Sequence, residues 1–195
     1  MYKLCKTEQS AARQRQLEQG LLEAMLVKRY DEISISDLCD RLDIPRKSFY
    51  RYFTGKDGAL RALIDHTLME YEAYTIQYRK GKTRTIYLDL ESFFQFWVQH
   101  KQLLDALSYS GISAMLVGRA VEFALTDDAL PTRFLPRDNR NMQQHITMFG
   151  VCGLMSMVLN WHDSGYEQPS SEMARIAVRM ISQPLFPGVE DHVKS

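Results

Sequence analysis

The chain has 195 residues, 45% hydrophobic and 25% charged, with 24 basic and 24 acidic side chains and so no formal net charge. This globular balance excludes a disordered chain and a protein that coats nucleic acid indiscriminately. No run reaches the roughly 18 to 20 apolar residues of a membrane span, and the N-terminus M-Y-K-L-C-K-T-E-Q-S lacks the apolar core of a signal peptide, so a cytoplasmic protein without a membrane partner is expected. Cys5, Cys39 and Cys152 have no C-x-x-C spacing and read as reduced thiols rather than a disulfide framework.

From Glu8 to Arg29, Leu17, Leu21, Leu22, Met25 and Leu26 recur at helical spacing and predict an amphipathic helix. Ser34-Ile35-Ser36-Asp37 has the S-x-x-D form of a capping box and opens a short helix to about Leu42. Asp43 tolerates a left-handed turn. Pro45 then starts a third helix, running to Phe53, because its missing N–H would be unpaired there anyway. Beyond Thr54-Gly55-Lys56-Asp57-Gly58, helices are expected to Tyr78 and over 86–100, 102–109, 112–126, 139–163 and 170–183. Pro131, Pro136, Pro169, Pro184 and Pro187 fall between or beyond them. No alternating strand pattern, repeat or low-complexity tract occurs, and the fold class is all-α.

The third helix carries the strongest functional signal. Between Ile44 and Lys56, Arg46, Lys47, Arg51 and Lys56 occur with no acidic residue. Winding R-K-S-F-Y-R-Y-F at about 100° per residue puts Phe49 and Phe53 on one side with Pro45 and Tyr52 beside them. Lys47, Ser48, Tyr50 and Arg51 fall on the other. A tight turn between two short helices, the second basic, is the helix-turn-helix plan for entering the major groove.

Residues 34–60, S-I-S-D-L-C-D-R-L-D-I-P-R-K-S-F-Y-R-Y-F-T-G-K-D-G-A-L, resemble the DNA-binding signature of the tetracycline-repressor (TetR) family. That pattern is T-x-x-D-I-A, a G-V turn, a short helix ending in T/S-L/F-Y-x-Y/H-F, and a loop with K-x-x-L. Asp43 stands at the usual turn glycine and Cys39 at the usual alanine. The resemblance implies that Ser48, Tyr50, Tyr52 and Lys56 meet phosphates or adjacent bases, that Ser34 caps its helix against the duplex backbone, and that Ser36 can reach a base. Arg46, Lys47 and Arg51 are the candidates for reading or steering sequence, since Arg and Lys bond guanine O6 and N7 strongly. They also read as an ordinary solvated cationic face.

Proteins of this plan work as two-fold dimers on palindromic double-stranded operators. From Phe149 to Trp161 the chain is apolar almost all round, with Gly150, Gly153 and Ser156 allowing close helix approach. By resemblance the last two helices form a bundle between subunits, and Gly150, Gly153, Met157, Trp161, Ile176 and Met180 are the expected homodimer contacts. An internal bundle is the other reading. Phe93, Phe94, Phe96, Trp97, Met115, Phe123, Met148 and Met155 form an aromatic and methionine-rich set. The corresponding helices of the family surround a small-molecule pocket, for which Phe93, Phe96, Trp97, Met115, Phe149 and Met155 are the candidates. Such a stripe is equally the signature of plain core. Tyr74, Tyr78, Tyr109 and His100 are unranked polar handles.

Enzyme chemistry finds no frame. Gly81-Lys82-Thr83 lacks the glycine of a P-loop, because position 76 is Ile76. The five histidines show no metal-ligand spacing, and the Ser-Gly pairs lack G-x-S-x-G. No cofactor or metal is expected. The domain plan is 1–56 for DNA binding, 57–187 for regulation and dimerisation, and 188–195 as a tail. The function expected is a sequence-specific transcriptional regulator, a repressor by family default, modulated by an unidentified small effector. The alternative is a TetR-fold interaction coactivator or scaffold without an inducer.

Overall fold

The structure, a computed structural model, describes residues 2, 3, 5, 7–126 and 140–183. Among these, the regular elements are helical: α1 (Glu8–Met25), α2 (Ile35–Arg41), α3 (Arg46–Tyr52), α4 (Lys56–Arg79), α5 (Ile86–Gln99), α6 (Lys101–Tyr109), α7 (Ala114–Thr126), α8 (Arg140–Asp163) and α9 (Ser170–Ser182). The all-α expectation holds for them, and none is long and apolar enough to cross a membrane. The expected tail and the prolines at 131, 136, 184 and 187 lie outside the described residues.

Local chemistry sets the ends of these helices. Thr7 caps α1 by accepting from the Ser10 N–H at 3.2 Å, and Ser34 caps α2 by accepting from the Asp37 N–H at 3.0 Å. Thr85 does the same for α5 at 3.1 Å. Each side-chain oxygen satisfies a backbone donor that a helix start leaves unpaired. Helix α1 ends four residues earlier than its apolar pattern suggested, because a 3₁₀ turn over Tyr30–Glu32 follows Met25 and redirects the chain. Asp43 takes the left-handed conformation at φ 50° between α2 and α3.

Helices α1, α2 and α3 close a small core of Leu17, Leu21, Leu38, Ile44, Phe49 and Phe53, all nearly or fully buried. Burying Phe49 and Phe53 contributes about 1.5–3 kcal/mol each. Helix α4 packs on α1, α5 and α7; α7 packs on α8, α5 on α9, and α6 on α1 and α8. The α1–α4 contact is unusually polar: His66 Nδ1 lies 2.8 Å from Glu18 Oε2, and Arg15 pairs with Glu70 at 2.5 Å. Tyr2 OH donates to Asp65 at 2.9 Å, and Asp65 also pairs with Arg119 of α7 at 2.6 Å. Burial, then the bond to Asp65, pushes the Tyr2 phenol up to about 12.

Gly20 is what lets the α2 end reach α1. A Cβ there would lie 2.5 Å from Leu42 Cδ1. Gly20→Val should therefore cost about 1–3 kcal/mol in urea unfolding. Leu42→Ala, which vacates the space, should recover most of that loss in the double variant; strictly additive effects would show that the two side chains do not meet.

Candidate functional site

On α3 the packing side is filled by Phe49 and Phe53, whose rings lie 5.2 Å apart. What remains faces solvent: Arg46, Lys47, Tyr50 and Arg51 are exposed, Ser48 is half-buried, and Ser34 and Ser36 stand exposed and half-buried at the start of α2. Among the described residues no carboxylate pairs with Arg46, Lys47 or Arg51, whereas Arg41 one turn away lies 3.8 Å from Glu23. The face is therefore cationic, rich in hydroxyls, and held on a rigid support.

Two of the expected contact residues point elsewhere. Tyr52 is only 6% exposed and belongs to the core. The reason is the N-terminal strand-like segment, where Lys3 N–H donates to Tyr52 O at 3.0 Å and Tyr2 bridges to Phe53, covering the end of α3. Lys56 is turned inward: its ammonium donates to the carbonyls of Tyr30, Ile33 (2.7 Å) and Asp31 (3.4 Å). It also sits 4.3 Å above the Tyr30 ring, a cation–π contact. All three ammonium donors are engaged, so Lys56 ties α4 to the loop before α2 instead of offering charge outward.

Tyr30 makes that loop a junction. Its hydroxyl donates to Asp57 at 2.5 Å, and its backbone N–H donates to Ser110 Oγ, at the end of α6, at 3.0 Å. Burial, then the bond to Asp57, raises the phenol far above its usual range. No spacing rule on the sequence marks Tyr30, since its partners lie 27 and 80 residues away.

The second feature is a cavity of about 390 Å³ among α4, α5, α7, α8 and α9, within the roughly 300–1,000 Å³ of small-molecule sites. Phe93, Trp97 and Met155 line it as expected, and so does Phe123. Three expected members do not. Phe96 is buried on another side of α5, stacked on His100 at 4.0 Å; Met115 is part-exposed and off the wall; Phe149 is 71% exposed. Helix α8 turns Leu154 and Met155 inward, which leaves Phe149 on its outer side. Tyr71, Thr75 and Ile76 of α4 were missed because they sit in a mixed polar stretch. None of Tyr74, Tyr78, Tyr109 and His100 reaches the wall.

Of the expected dimer residues, Gly150 and Gly153 have open space where a Cβ would stand. Met157 and Ile176 are half-buried and Met180 is 47% exposed. Trp161 is different: it is 2% exposed, packed by Phe94 and Tyr166, with its indole N–H on Gln168 O at 2.9 Å. It is core of its own chain, because the Gly165 turn brings Tyr166 and Gln168 back against it. At the same end His162 Nε2 lies 2.8 Å from Asp105 of α6, and Nδ1 3.0 Å from Asp163. Burial opposes the charged imidazole, but the two carboxylates outweigh it and hold its pKa above the ordinary value.

No family model matches the chain, and no curated protein matches it in sequence. Solved structures do match it in fold. A protein described as a TetR-family transcriptional regulator from Syntrophomonas wolfei superposes with a TM-score of 0.66 at 14% identity, covering 91% of this chain and 98% of that one. The fatty acid degradation regulator FadR from Bacillus halodurans gives 0.63 at 10% identity, over 93% and 98%. The dihydroxyacetone kinase operon activator DhaS gives 0.58 at 12%, over 87% and 94%. The chain thus has the fold of the TetR-family regulators.

The inward tie of Lys56 is checked by unfolding. Lys56→Met strands three carbonyls and should lower stability by about 1–3 kcal/mol, while Arg51→Met, on the solvated face, should stay within about 0.5 kcal/mol. Equal stability of the two variants would refute the tie.

Proposed function

We propose that this chain, built on the TetR-family fold, is a sequence-specific DNA-binding transcriptional regulator that acts as a homodimer on a palindromic operator. One observation carries the reading: α3 buries Phe49 and Phe53 and leaves Arg46, Lys47, Ser48, Tyr50 and Arg51 outward without carboxylate partners among the described residues. A helix so presented fits the major groove, with Arg46, Lys47 and Arg51 toward base edges and Ser34, Ser36, Ser48 and Tyr50 toward phosphates or nearby bases. Residues 1–56 form the DNA-binding part and 57–187 the regulatory part. A single seven-residue helix supplies little affinity, which is why a second copy is required.

The outer side of α8 is where that copy binds. Met142, Phe149, Gly150, Gly153 and Met157 follow helical spacing there, and Phe149 and Met142 are 71% and 54% exposed; Met180 of α9 adds a 47% exposed apolar side chain. An apolar patch of this kind on a helix pair is the mark of an interface.

A small effector occupies the cavity. Helix α4 lines the cavity with Leu68, Tyr71, Thr75 and Ile76 and begins at Lys56, tied to the loop before α2. A ligand that prefers one position of α4 therefore also prefers one spacing of the two α3 helices, and changes operator affinity by its differential binding. Repression relieved by the effector is the direction we propose; DhaS is an activator on the same fold, and a reporter that falls on gene deletion would reverse the sign.

The test is selection of DNA from random fragments followed by a salt titration. A preferred palindrome should emerge, with log affinity falling linearly against log salt. Binding no tighter than to random sequence at physiological salt overturns the regulator reading. On the selected operator, Arg46→Ala or Lys47→Ala should lose about 1–3 kcal/mol of discrimination per base contact with the fold unchanged. Gly153→Leu should shift sedimentation toward monomer; a variant that stays fully dimeric removes α8 from the interface.

A further inference from the structure

The wall of the cavity is apolar over most of its extent, with Leu90, Phe93, Phe123, Leu154 and Met155 among its members. Of the buried polar atoms on it that make no hydrogen bond, Arg79 Nε and Asp89 Oδ1 form an ion pair with each other, and one is left with neither among the described residues. Trp97 is 1% exposed and lines the cavity, and its indole Nε1–H has no hydrogen-bond acceptor among the described residues. A buried donor left without a partner is costly and rare, so its acceptor is to be sought in whatever fills the space. The other tryptophan shows the contrast: Trp161 Nε1–H is satisfied by Gln168 O at 2.9 Å.

The charges at the cavity mouth decide what kind of acceptor fits. Arg79 is the one cation among the described lining residues, and Asp89 pairs with it at 2.5 Å. Asp89 is also held by Arg84, which does not line the cavity, at 3.1 Å. Glu72 adds a second carboxylate to the wall. An anionic ligand would find the one described cation already paired and would meet a further carboxylate at the solvent-exposed Glu72.

We infer that the effector is a neutral, mostly apolar molecule carrying one carbonyl-type acceptor, such as a ketone, ester, lactone or quinone, which takes its hydrogen bond from Trp97 Nε1–H. This rests on the reading of the cavity as an effector site and adds the chemical class of the effector. Trp97 is then the specificity-determining residue of the pocket, while the aliphatic and aromatic walls set size.

Three matched probes test it on the full-length protein by calorimetry: propiophenone, propylbenzene and 3-phenylpropanoate. Replacing Trp97 by Phe keeps an aromatic ring and removes the N–H. Trp97→Phe should weaken propiophenone about tenfold and change propylbenzene less than twofold; 3-phenylpropanoate should bind the native protein at least tenfold more weakly than the ketone. In the unmutated protein with ¹⁵N-labelled indoles, the ketone should shift the Trp97 N–H resonance and leave that of Trp161 in place, a readout independent of how the variant folds. Equal losses for ketone and hydrocarbon, an unmoved Trp97 resonance, or tighter binding of the carboxylate would overturn the inference while leaving the cavity a binding site. If none of the three probes binds the native protein, the effector reading of the cavity falls, and this inference with it.

Discussion

A helix of seven residues makes about two turns and does not persist alone in water, because the cost of nucleating it is spread over too few hydrogen bonds. Helix α3 exists only because Phe49 and Phe53 are buried in the apolar core it shares with α1 and α2. That one requirement organises the N-terminal region. It dictates that the two phenylalanines stand four apart, that α2 approaches closely enough for Gly20 to be needed beneath Leu42, and that Lys47, Tyr50 and Arg51 project away from the protein. The polar face of α3 is what the aromatic face leaves over, and its rigidity is borrowed from the core.

The same economy links that region to the rest of the chain. Tyr30 and Lys56 form a compact junction in which the ammonium donates to three carbonyls and the phenol donates to Asp57, and Ser110 brings the end of α6 to the same point. Helix α4 leaves this junction and becomes a wall of the cavity; α6 leaves it and meets α8 through Asp105 and His162. The cavity wall, α8 and the loop before α2 are thus joined by a few named polar contacts in addition to the shared apolar core. The acceptors that hold Lys56 are carbonyl dipoles, which neither titrate nor carry counterions.

Much of this was legible in the order of residues. Helical periodicity located the elements to within a few positions, the Ser34 cap and the left-handed Asp43 followed from side-chain chemistry, and winding α3 separated Phe49 and Phe53 from the basic residues. Winding α3 left Tyr52 on the border between its two faces, and its burial was not decided there, since the end of α3 pairs with residues 2 and 3, fifty positions upstream. Lys56 looked like free charge because its acceptors are backbone carbonyls, which every sequence possesses and none displays. Trp161 and Phe149 exchanged places for a related reason: on a helix apolar all round, periodicity says nothing about which side its own chain will cover. The cavity was half visible through Phe93, Trp97 and Met155, while Phe96 went to a flank of α5.

The polar character of the α1–α4 contact has a consequence for motion. Apolar surfaces slide over one another at nearly constant energy, since burial has no direction. The pairs beneath α1, His66 with Glu18, Arg15 with Glu70 and Tyr2 with Asp65, weaken steeply once angle or distance departs from the optimum. Helix α1 is therefore held on α4 at one register, and a swing of the N-terminal helices against α4 has to break these directional pairs.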